Sequence, residues 1–126
     1  LIMDELLHVT QRLVRDLQIN EIAVQRTLNT YGPFAGIEPL LMHLVRAGAD
    51  RQAMHAVLRE GALQAWQDVE AGHANPLMDL LAADTRLLAY LAPNTIREAL
   101  SIRNYLGDAP ERARVLAKRI QEIVKI

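Results

Sequence analysis

The chain opens on an apolar stripe too wide for one neighbour to cover. On a helical wheel Ile2, Met3, Leu6, Leu7, Val9, Leu13, Val14 and Leu17 occupy roughly half the circumference, and Asp4, His8, Gln11 and Arg15 fall on one narrow polar strip. No Ser, Thr, Asp or Asn stands where an N-cap would be, so the sequence reads as a helix with its beginning cut away. A stripe of that width calls for more than one adjacent helix. The expectation is therefore a piece of a larger helical assembly, with residues 1–17 as the end of a long bundle helix and residues 18–126 as an all-helical domain.

Helix punctuation recurs through the rest of the chain, while the alternating pattern of strands is almost absent. Asn20 is expected to cap a second helix with Ile22, Val24 and Leu28 on its buried side, ending near Gly32. Pro33-Phe34-Ala35-Gly36 then reads as a loop. Pro39 suits the first turn of a third helix carrying Ile37, Leu40, Leu41, Leu44 and Val45, which Gly48 stops. Asp50 caps the longest helix, about Arg51 to Ala71, with Met54, Val57, Leu58, Ala62, Ala65, Trp66 and Val69 at core spacing. Gly61 inside it costs about 1 kcal/mol against Ala, which predicts the close approach of another backbone.

From Gly72 to Gly107 the pattern is more broken, with short helices opening at Asn75-Pro76, Asp84-Thr85 and Pro93-Asn94. Asp108 and Glu111 form a capping-box spacing around Pro110, and Ala113, Leu116, Ala117, Ile120, Ile123 and Val124 read as the core face of a last helix. The fold class is all-α: a compact multi-helix domain with short connections.

Composition narrows the function. Apolar residues make up 51% and charged residues 23%, an ordinary globular balance. Fourteen basic and fifteen acidic residues give a net charge of -1, which argues against a domain built to neutralise phosphates or an anionic membrane. With no cysteine, disulfides and thiolate metal sites are excluded, and a reducing cytoplasm is permitted. No apolar run approaches the roughly 20 residues of a membrane span.

No glycine-rich phosphate loop, zinc-binding His-Glu-x-x-His or Gly-x-Ser-x-Gly turn is present. Asp4 and His8 are one helical turn apart, but two residues are too few for a metal site and the solvent strip explains them. His43 and His55 read as rim residues at a helix contact, and His73 as a helix C-terminal neighbour. Tyr31, Phe34, Trp66, Tyr90 and Tyr105 are scattered without interleaved cations, which favours core-edge roles over base stacking. Arg112, Arg114, Lys118, Arg119 and Lys125 are diluted by Glu111 and Glu122 and read as a solvated face. No catalytic, cofactor-binding or metal-ligating residue is assigned, and no cofactor is expected.

The order of three runs resembles a known family. Residues 33–52, Pro-Phe-Ala-Gly-Ile-Glu-Pro-Leu-Leu-Met-His-Leu-Val-Arg-Ala-Gly-Ala-Asp-Arg-Gln, look like the start of the C-terminal domain of the adenylosuccinate lyases. Residues 75–84, Asn-Pro-Leu-Met-Asp-Leu-Leu-Ala-Ala-Asp, are similar to the segment after that domain's long helix, and Asn104-Tyr105-Leu106-Gly107-Asp108-Ala109-Pro110 to its turn into the last helix. Ser101-Ile102 stand where the family usually has Asp-Pro.

The resemblance, within the fumarase/aspartase superfamily, implies a homotetrameric parent enzyme whose long helices share a bundle. That enzyme would release fumarate from adenylosuccinate and from the succinylo-carboxamide intermediate of purine synthesis, by general base and general acid catalysis in the cytoplasm. It further implies that the catalytic His, the mobile Ser-rich loop and most contacts to the purine nucleotide lie outside these 126 residues, so that the chain alone is inactive. Its partners would be the remaining domains and subunits, not nucleic acid or membrane. The 3-carboxy-cis,cis-muconate cycloisomerases share this domain type and are the alternative. A free-standing helical module dimerising through Leu6, Leu13 and Leu17 is another, and a helical nucleic-acid binder a weaker third.

Overall fold

The computed structural model describes residues 1–124 and, among them, contains helices and no strand. In chain order these are α1 (Ile2–Arg15), α2 (Glu21–Ala35), α3 (Ile37–Arg46), α4 (Arg51–Glu70), α5 (Leu77–Ala83), α6 (Thr85–Leu88), α7 (Pro93–Ala99), a 3-10 turn (Ile102–Tyr105) and α8 (Ala109–Val124). The all-α expectation holds.

Caps written in the sequence are made as expected. Asn20 Oδ1 accepts from the Ala23 N–H at 2.9 Å and Asp50 Oδ1 from the Ala53 N–H at 2.7 Å, each relieving an unpaired donor in a first turn. Gly48 ends α3 at φ 94°, with its own N–H on the Val45 carbonyl and that of Ala49 on the Leu44 carbonyl, the paired bonds of a Schellman motif. Gly72 and His73 repeat the motif after α4, bonding Val69 and Asp68.

The core is almost pure leucine. Leu40, Leu41 and Leu44 of α3, Leu58 of α4, Leu77 and Leu81 of α5, Leu87 of α6, Ile96 of α7 and Leu100 are each under 2% exposed, and among the described residues no charged or polar one is buried with them. Helices α3 and α4 pack on each other, and α5 and α7 close the other side. Met54, Val57 and Ala65 add the rest of the buried face of α4, whereas Trp66, at core spacing, stays 44% exposed.

Several expectations are corrected. Pro33-Phe34-Ala35 is not a loop: α2 runs through Pro33 to Ala35, and Gly36 alone separates it from α3. Proline in the last turn of a helix removes one hydrogen bond, and here Gly32 and Pro33 are buried, so packing offsets the loss. The close backbone approach expected at Gly61 occurs at Gly36 instead. A Cβ on Gly36 would lie 2.5 Å from Leu100 Cα and 2.7 Å from the Ala99 carbonyl oxygen, whereas Gly61 faces the Leu81 side chain.

Two apolar faces expected to be buried are not. Ile22, Val24 and Leu28 of α2 are exposed, as are Ala113, Leu116, Ala117, Ile120, Ile123 and Val124 of α8. Periodicity reports that a face is apolar, not which surface covers it. Glu111 does not turn back toward Asp108 but lies 3.7 Å from Arg114. All of α1 is exposed, and Leu1 at its N-cap makes no side-chain cap bond.

Two stability outcomes follow, each read by chemical denaturation. Leu58→Ala should cost about 2–5 kcal/mol, the range for emptying a well-packed leucine site. Gly36→Ala forces two backbones apart and should cost about 1–3 kcal/mol or more. It should destabilise more than Gly48→Ala, whose added methyl meets nothing within 4 Å and costs only about 1–2 kcal/mol of left-handed backbone strain.

Candidate functional site

The polar residues worth testing for chemistry are spread over the surface. Asp4 and His8 lie 3.8 Å apart with both side chains mostly in water. His43 and His55 are exposed; His55 lines a shallow groove with Phe34, Ile37, Glu38, Leu41, Leu58 and Arg59, and His43 does not belong to it. His73 Nδ1 sits 3.6 Å from an Asp68 carboxylate oxygen in the Schellman turn, a helix C-terminal position as expected. Among the described residues, no group of three or more His, Asp or Glu is placed to hold a metal ion, and no helix is long and apolar enough to cross a membrane.

The aromatic residues are less scattered than the sequence implied. Phe34 meets Trp66 edge-on at 5.5 Å between ring centroids, and Tyr31 meets it tilted at 6.2 Å, so α2 and α4 share a three-ring cluster at the border of the core. The Tyr105 hydroxyl donates to the Ala99 carbonyl at 2.6 Å, tying the 3-10 turn to the end of α7. Arg112, Arg114, Lys118 and Arg119 lie on exposed α8, and Lys125 is outside the described residues.

Four ion pairs were not foreseen. Arg86 forks onto its neighbour Asp84, with Nη2 2.6 Å from Oδ2 and Nε 3.0 Å from Oδ1, and its Nη1 reaches Glu60 of α4 at 2.9 Å. Asp84 is also the cap of α6, its Oδ1 accepting from the Arg86 N–H at 2.8 Å. Arg97 of α7 pairs with Asp79 of α5, and Arg51 of α4 with Glu38 of α3 at 3.4 Å. Asn75 works twice, donating to the Thr30 carbonyl at 2.7 Å and accepting from the Leu77 N–H at 2.9 Å, so it fastens α2 to the start of α5. Pairs between residues 13 to 26 positions apart leave no periodic trace in a sequence; only the Asp84-x-Arg86 spacing was open to inspection.

These groups position helices rather than converge on a reacting atom. The arrangement defines a helical domain with a closed leucine core and wide apolar faces left on α1, the start of α2 and α8. A family model described as "Adenylosuccinate lyase C-terminus" matches residues 34–115, and the chain belongs to that family. The adenylosuccinate lyase of Archaeoglobus fulgidus is 27% identical over 122 residues, covering 97% of this chain and 26% of that enzyme. That of Methanocaldococcus jannaschii is 26% identical over 108 residues, 86% of this chain and 22% of the enzyme. That of Pyrococcus abyssi is 25% identical over 122 residues, 97% and 26% respectively. The chain thus spans about a quarter of the length of the curated relatives it matches. The muconate cycloisomerase alternative is not favoured.

The Asp84 carboxyl is held below its usual value, first by the side-chain hydrogen bond from Arg86, against a smaller opposing effect of burial. A depressed carboxylate pKa stabilises the fold above the unfolded value of about 3.9 and loses that contribution as pH falls through the folded value. Asp84→Asn keeps a capping oxygen but not the charge. Its melting temperature should lie below that of the parent at pH 6, and the gap should close as pH falls from about 4 toward 2.

Proposed function

We propose that this chain is the C-terminal domain of an adenylosuccinate lyase, residues 1–17 being the end of a central-bundle helix and residues 18–126 the domain proper. The observation that carries the reading is the family match across the leucine core, from Phe34 to Val115, joined to relatives that are all adenylosuccinate lyases. The parent enzyme would work in the cytoplasm, in purine biosynthesis, as a homotetramer. It would eliminate fumarate from adenylosuccinate and from the succinylo-carboxamide intermediate, a base taking a carbon-bound proton while an acid protonates the departing nitrogen.

In this reading the domain supplies shape, not chemistry. The ion pairs that join its helices, Arg86 to Glu60, Arg97 to Asp79 and Arg51 to Glu38, lie at the surface, and among the described residues no charged or polar side chain is buried in the core. The catalytic acid and base and most of the nucleotide contacts would belong to other parts of the parent. The three unpartnered apolar faces are the surfaces through which the domain joins that enzyme. The stand-alone module has no comparable support, because it offers no account of the family match.

The experiment is a chimera in which the C-terminal quarter of the Archaeoglobus fulgidus enzyme is replaced by this chain, assayed for fumarate released from adenylosuccinate. Turnover by the chimera, with none from the 126-residue chain alone, is the expected result. Turnover by the isolated chain, or a folded chimera that releases no fumarate, overturns the reading.

A further inference from the structure

Two helices of this chain are tied to the rest by backbone alone. Among the described residues α1 and α8 bury no side chain, and every side-chain hydrogen bond or ion pair they make stays inside its own helix. These are the Thr10 hydroxyl on the Leu6 carbonyl, His8 with Asp4, Arg12 with Glu5, and Arg114 with Glu111. The principal packed pairs, from α2 on α3 to α5 on α7, all lie between α2 and the 3-10 turn.

That middle unit is fastened at both of its ends. Asn75 holds the Thr30 carbonyl of α2, and Ile102 sits so close under Gly32 that an added Cβ there would lie 3.2 Å from its Cγ2. Tyr105 and Asn104 donate to the Ala99 and Glu98 carbonyls at the end of α7. Outside these fastenings the connections are thin. Residues 17–20 join α1 to α2 without helix, and Gly107, at φ 57° with nothing within 4 Å of where a Cβ would be, precedes α8.

Helices of 14 and 16 residues are marginal in water unless a neighbour packs on them. In α1 the β-branched Ile2, Val9, Thr10 and Val14 weaken the helix further by losing rotamer freedom. In α8 the Glu111 carboxylate lies by Arg114 instead of closing a capping box.

We propose that the chain has two tiers of stability. The unit of residues 30–105 opens only by global unfolding, whereas α1 and α8 open one at a time while the leucine core stays shut. Every buried residue belongs to the unit between them, so neither opening takes a core side chain out of place. The outer helices are conditional elements: a surface that covers either apolar face fixes the helix together with the contact, and that ordering offsets part of what the contact contributes. The inference concerns the chain's own parts and does not rest on the reading of the parent enzyme.

Amide exchange of the whole monomeric chain reads the two tiers. Amides of α1 and α8 should exchange at least about 100-fold faster than those of Leu44, Leu58 and Ile96, whose release needs global unfolding. A smaller ratio for either outer helix overturns the proposal. Leu58→Ala should then speed exchange at Leu44 and Ile96 about 30-fold or more and leave α1 and α8 unchanged. Acceleration of an outer helix in parallel with the core overturns the proposal too.

Proline gives an independent readout. Val9→Pro and Ala117→Pro should each leave the melting temperature of the core, followed by Trp66 fluorescence, within about 2 °C of the parent, against a fall of about 10 °C or more where the core depends on the helix. A larger fall with either variant overturns the independence of that helix. All of these measurements use the free chain, so a chimera that fails to release fumarate leaves them unaffected.

Discussion

The fold depends on one dry contact layer, the leucines of α3 and α4 meeting those of α5 together with Ile96 of α7 and Leu100 just after it. Burying a leucine side chain contributes about 1.5–3 kcal/mol, and eight leucines with Ile96 are almost fully enclosed. Among the described residues no polar side chain shares that space, so the layer carries no side-chain desolvation penalty and asks for no hydrogen-bond partner. The junction at Gly36 is what lets the layer close. With no Cβ there, the α2–α3 corner rests directly on the backbone of Ala99 and Leu100, and the end of α7 can reach the core.

Around the layer, polar side chains set the angles between helices rather than adding much stability. Arg86 on Glu60, Arg97 on Asp79 and Arg51 on Glu38 each bridge two elements at the surface, where solvent screens the attraction. Asn75 is different in kind, because its partners are backbone groups: the Thr30 carbonyl at the end of α2 and the Leu77 N–H opening α5. A side chain that satisfies two backbone groups from separate elements fixes their register. This division of labour suits the proposed role, a domain that presents faces to the rest of an enzyme. Its interior is complete, and its outlying helices are apolar on the outside.

How much was legible varied with the range of the interaction. Caps at Asn20, Asp50 and Asp84, the stop at Gly48, the short helices after Gly72 and the leucines of α3 were read correctly, since each depends on residues within one turn. The Pro33 segment was misread because proline's local cost was weighed without the burial that offsets it. The aromatic cluster of Tyr31, Phe34 and Trp66 was missed because it joins α2 to α4, and the faces of α2 and α8 were assigned to a core they do not enter.

The amino-acid sequence by itself determined the helices, their capped ends, the apolar face of each and the family, because capping, periodicity and motif order are properties of neighbours along the chain. Tertiary structure alone decided which faces are covered, that Gly36 rather than Gly61 admits a second backbone, and which arginine meets which carboxylate. Those outcomes depend on distances between residues far apart in sequence. A pattern of side chains holds no record of those distances until the leucine layer has closed and brought the elements together.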